Sequence, residues 1–131
     1  MPVHALDHVN IVTDQLEQTA DFFAEVLGLT KGARPDFGMK GYWLSDLSGQ
    51  AIIHLMEYVP GSATVAGHVP GDKTAAVHHV ALRCTGFAEM LDRLARLGVE
   101  HRVNDRTYGD QRQIFISDPN NVSLELNFAG D

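Results

Sequence analysis

The chain has 131 residues, 44% of them hydrophobic and 21% charged, with a net charge of −7; this is enough apolar material for one good core and too little for two independent ones. The acidic balance, with no basic stripe, argues against a nucleic-acid partner. No apolar run approaches the roughly 18 residues of a membrane span, and the N-terminal residues show no basic region leading into an apolar stretch, so a cytoplasmic protein without a membrane partner is expected.

Leu6-Asp7-His8-Val9-Asn10-Ile11-Val12 reads as a first strand. Asp14 and Glu17, three residues apart, predict a capping box for a helix with apolar positions Leu16, Ala20, Phe23, Val26 and Leu27, and Gly28 ends it. Strands are expected near Thr30 to Ala33, Lys40 to Asp46 and Ala51 to Glu57, completing a β-α-β-β-β module over 1–58. The segment 59–75 carries Pro60, Gly61, Gly67, Pro70, Gly71 and His68 without periodicity, as expected of an inter-module linker and candidate lid. The order then recurs over 76–131. Val77 to Arg83 is a strand, Phe87, Met90, Leu91, Leu94 and Leu97 mark a helix that Gly98 ends, and strands follow near His101 to Asp105, Gln111 to Asp118 and Val122 to Phe128. A single domain of 1–131 built from two modules is expected. Cys84, the only cysteine, excludes an internal disulfide and reads as a small buried side chain.

The recurrence carries chemistry. His8 returns as His79 and His54 as Glu125, each 71 positions on, with apolar residues at matching places around both pairs. Ser45-Asp46 and Ser117-Asp118 are 72 apart, so one residue has been gained in a turn. Side chains alternate across a strand, so His8 shares a face with Leu6, Asn10 and Val12, and His79 with Val77, Ala81 and Arg83, while His78 faces the other way. A local two-fold between the modules predicts convergence of His8, His54, His79 and Glu125 inside one curved mixed sheet. Three imidazoles and a carboxylate suit Zn, Ni, Co, Mn or Fe as the divalent metal ion, and four protein ligands on a six-coordinate ion leave two neighbouring positions for adjacent substrate oxygens. A lone strand histidine is more often a hydrogen-bonded core or rim residue, and a lone strand glutamate more often faces solvent; the repeat separates these four from that default. His4, His68, His78 and His101 are read as surface or linker residues.

These residues resemble the vicinal oxygen chelate superfamily, which includes glyoxalase I, methylmalonyl-CoA epimerase, extradiol dioxygenases, fosfomycin-resistance transferases and bleomycin-resistance proteins. The resemblance runs over essentially the whole chain through Leu6-Asp7-His8-Val9, Phe22-Phe23, Val26-Leu27-Gly28-Leu29 and His79-Val80-Ala81-Leu82. Its most specific part is Phe115-Ile116-Ser117-Asp118-Pro119-Asn120-Asn121 leading to Leu124-Glu125-Leu126, where such proteins commonly have Gly near the place of Asn121, a residue that also tolerates a left-handed backbone. The resemblance implies an α+β fold of paired βαβββ modules around a metal held at His8, His79 and Glu125, and it implies a homodimer. Glyoxalase I has a fourth ligand at the position of His54, usually a glutamate. Its glutathione-binding arginine and asparagine correspond to Val12 and Tyr58 here, which speaks against glutathione. Arg83, four residues after His79, offers an anion site in their place, with an ordinary surface ion pair as its alternative.

Three activities are compatible with this donor set. A glyoxalase-like lyase or isomerase acts on a 2-oxo or 2-hydroxy carbonyl compound through an enediolate, with Glu125 moving the proton and His54 as fourth ligand or base. An Fe or Mn ring-cleaving dioxygenase uses His8, His79 and Glu125 as a facial triad, with Tyr108 as proton donor. A drug-binding protein of the bleomycin-resistance kind does no chemistry, and such binders generally lose the ligands retained here. Asn10, Arg83 and Tyr108 are the candidate substrate contacts. Phe37, Tyr42, Trp43 and Phe115 are aromatic residues whose strand faces the sequence leaves open, and Arg34, Arg112 and Gln113 are candidates for the rim.

Overall fold

The computed structural model describes residues 2–35, 38–104 and 111–129. The chain divides into two compact units, Met1–Pro70 and Gly71–Asp131, with the division inside the segment expected as linker. Each unit contains one four-stranded mixed sheet and one helix of at least ten residues. Among the described residues no helix is long and apolar enough to cross a membrane.

In the first unit, β1 (Val9–Thr13), α1 (Leu16–Leu27), β2 (Thr30–Ala33), β3 (Gly41–Ser45) and β4 (Ala51–Glu57) follow the expected order. The sheet order is β1-β4-β3-β2, with β1 parallel to β4 and the other neighbours antiparallel. Alternation sorts the side chains. Ile11 and Thr13 of β1, Leu44 of β3, and Ile53 and Leu55 of β4 are buried, as are Thr19, Ala20, Phe23 and Val26 of α1, the helix that lies against β2, β3 and β4. The opposite parity carries His8, Asn10, Trp43 and His54.

The start of α1 departs from expectation. No side chain caps it; the hydroxyl of Thr13 accepts the Gln15 N–H at 2.9 Å, and that of Thr19 donates to the Gln15 carbonyl at 2.8 Å. Glu17 is drawn instead to the hydroxyl of Tyr42, at 2.7 and 2.9 Å, and to the ammonium of Lys31 at 3.4 Å. A phenol and a cation outcompete the backbone amide that a capping box would have engaged. The C-terminus behaves as predicted. Gly28 is left-handed at φ 73°, and the Gly28 and Leu29 N–H groups bond the Ala24 and Phe23 carbonyls, each at 3.1 Å.

The second unit repeats the pattern with β5 (Val80–Cys84), α2 (Phe87–Arg96), β6 (Arg102–Asn104), β7 (Gln111–Ser117) and β8 (Ser123–Ala129), in sheet order β5-β8-β7-β6. Phe87, Met90 and Leu94 of α2 are buried, as are Ile114, Ile116, Leu124, Leu126 and Phe128 of the sheet. Phe87 meets Phe128 edge to face at 5.5 Å. Leu97, expected on the apolar face of the helix, is 40% exposed, because the helix ends at Arg96 and Gly98 turns the chain away with φ 67°. Asp105 lies outside the described residues, so the strand expected from His101 is seen as Arg102–Asn104.

The turn before β8 is built on the buried Asp118. Its carboxylate accepts the N–H groups of Asn120 and Val122 at 2.9 and 2.8 Å and the side-chain amide of Asn120 at 2.9 Å. Asn121 adopts the left-handed backbone expected of it, φ 66°. Asn121→Val, placing a β-branched residue in that conformation, is expected to lower stability by about 1–2 kcal/mol, whereas Asn121→Gly leaves it unchanged or slightly raised, as read from denaturant midpoints.

Cys84 is half-buried on the helix-facing parity of β5, and burial pushes its thiol up to about 11 from an ordinary value of 9.0. At pH 8 the native protein should therefore alkylate about 100-fold more slowly than the denatured chain, since each pKa unit is a tenfold change in thiolate. The unfolded thiol ionises first, so this group's contribution to stability is present below pH 9 and is lost as pH rises toward 11.

Candidate metal centre

In each unit the parallel pairing of first and last strands sets a histidine at the mouth of one beside a donor on the other. In the first unit Asn10 is the strand partner of His54, and His8 stands two residues earlier on the same face. The His8 and His54 rings stack at 3.7 Å with planes 7° apart, and the other face of His54 is covered by Trp43, its partner on β3, at 4.5 Å. His54 is thus held between two rings. The in-plane lone pairs of cofacial imidazoles lie in parallel planes and do not meet at a common point, so these two rings as they stand do not chelate one ion. Burial, followed by the neighbouring His8, holds the His54 imidazole below its usual range. His8 Nδ1 contacts the Asp7 carboxylate at 2.6 Å, and this hydrogen bond holds Asp7 below the ordinary carboxylate range. A carboxylate accepts only, so His8 Nδ1 carries the proton in the neutral ring and Nε2 presents its lone pair.

In the second unit Ala81 partners Glu125, and His79 again precedes by two residues. His79 Nε2 lies 3.8 Å from Glu125 Oε1. With bonds of about 2.0–2.2 Å, two ligands of one ion lie no more than about 4.4 Å apart, so this pair fits a shared cation. His79 Nδ1 is engaged by His78 Nδ1 at 2.9 Å, leaving Nε2 for the site. His78 does not turn away as the alternation rule predicts. It lies before the first hydrogen-bonded strand residue, where alternation is not enforced, and its ring meets His79 edge to face at 5.2 Å. The Glu125 side chain is only 14% exposed, and its second oxygen accepts the Asn127 side-chain amide at 3.0 Å. A groove of about 740 Å³ in this unit is lined by residues including His79, His101, Arg102, Phe115, Ser123 and Glu125.

Among the described residues no three His, Cys, Asp or Glu side chains are gathered closely enough to hold a metal ion. The expected donors come as one pair per unit: His8 with His54, and His79 with Glu125.

Strand faces left open by the sequence are now settled. Trp43 and Phe115 share the faces of His54 and Glu125, being their respective strand partners, whereas Tyr42 faces α1 and bonds Glu17. Asn10 is exposed on the His54 face, and Arg83 is exposed on the Glu125 face opposite Asn127, with no ion pair among the described residues. Arg112 lies over the ring of Phe87, 4.9 Å away, on the helix side, and Arg34 borders a different hollow of about 520 Å³ beside α1. Phe37 and Tyr108 lie outside the described residues. Sequence reading passed over Arg102 and Asn127. The guanidinium of Arg102 sits 4.3 Å from the centre of the Phe115 ring at the edge of the groove, and Asn127 could have been found by the period of two from Glu125.

Two β-α-β-β-β units, each with a four-stranded mixed sheet, are the fold of the vicinal oxygen chelate type. Residues 5–126 match the family model, and the chain belongs to the Glyoxalase/Bleomycin resistance protein/Dioxygenase superfamily. No curated protein sequence matches it significantly. Among solved structures it is similar to the genomically encoded fosfomycin resistance protein FosX from Listeria monocytogenes, with 20% identity and a TM-score of 0.69 over 98% of this chain and 95% of that one. A glyoxylase/bleomycin resistance protein/dioxygenase domain from Frankia sp. EAN1pec gives 16% identity and a TM-score of 0.71 over 99% and 95%. A glutamate-to-glutamine variant of FosX, similar at 20% identity and a TM-score of 0.69 over 99% and 95%, was solved with Mn(II) and 1S,2S-dihydroxypropylphosphonic acid.

If Asp7 fixes the His8 tautomer, Asp7→Ala should shift the neutral ring from Nδ1–H toward Nε2–H. Long-range ¹H–¹⁵N correlation on the neutral imidazoles reads this directly; an unchanged tautomer would mean that the contact does not hold the ring.

Proposed function

We propose that this chain is a divalent-metal-dependent enzyme of the lyase or isomerase kind, with His8, His79 and Glu125 as metal ligands and a small substrate bound through two adjacent oxygens. The observation that carries the reading is the approach of His79 Nε2 to Glu125 Oε1 at 3.8 Å on a largely buried carboxylate, with Nδ1 of both His8 and His79 occupied by the preceding residue. When bound, a divalent ion supplies Lewis-acid polarisation of the two substrate oxygens and stabilises the charge that develops on them. On loosening from such an ion, Glu125 would take a proton through Oε1 from the carbon bearing one of those oxygens and return it to the neighbouring carbon, while Oε2 stays bonded to Asn127. His54, stacked between Trp43 and His8, is assigned beside the ligands as a second proton-transfer group in place of the fourth-ligand role expected from sequence. Arg83 is assigned to an anionic group of the substrate, and Asn10 and Tyr108 to its polar contacts. We infer a cytoplasmic homodimer, each chain acting as one domain. The Mn(II) complex of the FosX variant, whose ligand carries two hydroxyls, supports manganese as the first ion to test.

Three protein donors leave three positions on a six-coordinate ion, which favours the ring-cleaving dioxygenase as the second reading. Metal content of protein purified without tag or chelator, followed by Mn(II) titration of variants, separates these. Glu125→Gln and His79→Ala are expected to weaken the ion by more than about 100-fold, a loss greater than that of an outer-shell change. His54→Ala retains the ion and loses turnover of an α-oxoaldehyde adduct. Iron with O₂ uptake on catechols would move the assignment to the dioxygenase, and no metal with tight binding of a planar drug would overturn both.

A further inference from the structure

We propose that Asn104, Gln113 and Asn127 form a one-directional amide relay that orients Glu125 for its ion, making Asn127 and Gln113 positioning residues of the site; this rests on Glu125 being a metal ligand. Three hydrogen bonds carry it. The Asn104 amide donates to Gln113 Oε1, the Gln113 amide to Asn127 Oδ1, and the Asn127 amide to Glu125 Oε2, each at 3.0 Å. Asn104 and Gln113 are strand partners across β6 and β7, and Gln113 and Asn127 across β7 and β8, so the relay crosses the sheet in one row and then steps two residues along β8. All four side chains share the face opposite the buried Ile114, Leu124, Leu126 and Phe128.

The polarity of the relay follows from its charged end. An ionised carboxylate has no hydrogen to give, so Asn127 must turn its NH₂ toward Glu125, which leaves its oxygen for Gln113; Gln113 must then donate, which leaves its own oxygen for Asn104. Each amide is thus fixed in one of its two flip states by the residue after it. The outcome at the site is that Oε2 is occupied and Oε1 is the oxygen turned toward His79 Nε2. A carboxylate held by such a donor keeps one oxygen aimed and needs less ordering when the ion arrives.

The first unit lacks the device where it lacks the carboxylate. The residue equivalent to Asn127 is Met56, and that equivalent to Gln113 is Gly41, where a Cβ would run into the Leu55 carbonyl and the Arg34 side chain. The amides accompany the glutamate.

Mn(II) affinity, read by electron paramagnetic resonance of free ion against wild-type protein, tests the relay. Asn127→Asp places an acceptor against Glu125 and is expected to weaken Mn(II) by roughly 10–100-fold, the range for outer-shell partners. Gln113→Glu touches neither Glu125 nor the ion, but it cannot donate to Asn127, so the Asn127 amide reverses and presents oxygen to Glu125; a loss of roughly tenfold is expected, against a much smaller loss for Asn104→Ala at the far end. Circular dichroism and thermal midpoints of the metal-free variants report folding. For a variant that does not fold, exchange of the Asn127 side-chain amide protons in wild-type protein serves instead, slowed by the relay and fast without it. Unchanged affinity in Gln113→Glu alongside a loss in Glu125→Gln, or a rapidly exchanging Asn127 amide, overturns the relay. Unchanged affinity in Glu125→Gln overturns the metal reading on which it rests.

Discussion

The two-residue period of the strand, applied to a sheet covered by a helix on one face, governs everything else in this chain. Helix cover demands apolar side chains at alternate positions: Ile11, Leu44, Ile53 and Leu55 in one unit, and Ile114, Leu124, Leu126 and Phe128 in the other. Of the intervening positions in β4 and β8 only Met56 is buried in the core, and every candidate donor within a strand sits at such a position. Parallel pairing of β1 with β4, and of β5 with β8, then fixes which of these positions are neighbours. A parallel pair needs a connection of a dozen residues or more, and the helix and two intervening strands supply it. The same architecture that buries the core therefore brings the mouth of the first strand beside the middle of the last.

Duplication of that arrangement gives two equivalent positions, and the chain has filled them with different chemistry. His54 is an imidazole with two π faces, and aromatic rings cover both. Glu125 is a carboxylate that is mostly removed from water, which costs several kcal/mol unless donors reach it. An amide reaches it from Asn127. Trp43 and Phe115 occupy equivalent places beside these two groups, yet only Trp43 stacks on its partner's ring; Phe115 carries Arg102 instead. Each support suits its own donor, so exchanging His54 and Glu125 without their neighbours would leave a carboxylate against an indole and an imidazole in place of an acceptor.

Much of the fold was legible because it is periodic. Helices ended by Gly28 and Gly98, the order of elements along the chain and the left-handed Asn121 all follow from local rules, and the repeat at 71 residues marked the four candidate donors but not their pairing within each unit. What was not legible lies where side chains compete. Glu17 had two destinations, the backbone of the helix start and the hydroxyl of Tyr42, and only three-dimensional proximity decides between them. His78 stood just outside the first hydrogen-bonded strand residue, beyond the reach of alternation. The amides of Asn104, Gln113 and Asn127 are far apart in sequence, and their alignment depends on strand register, which a hydrophobic pattern fixes only through the faces.

The residues that precede the two candidate histidine ligands, Asp7 and His78, are themselves related by the 71-residue repeat, and both engage Nδ1. Their chemistry makes the two ligands unequal. Asp7 is a charged acceptor that fixes the Nδ1–H tautomer of His8 and leaves Nε2 as its donor atom. His78 brings a second imidazole in place of a carboxylate. For His79 to present its Nε2 lone pair its Nδ1 must donate, which obliges His78 to accept at Nδ1 and carry its own proton at Nε2. The second unit thus holds its candidate ligand through an imidazole whose tautomer the contact fixes, whereas the first holds its candidate ligand through a carboxylate that the same contact keeps ionised.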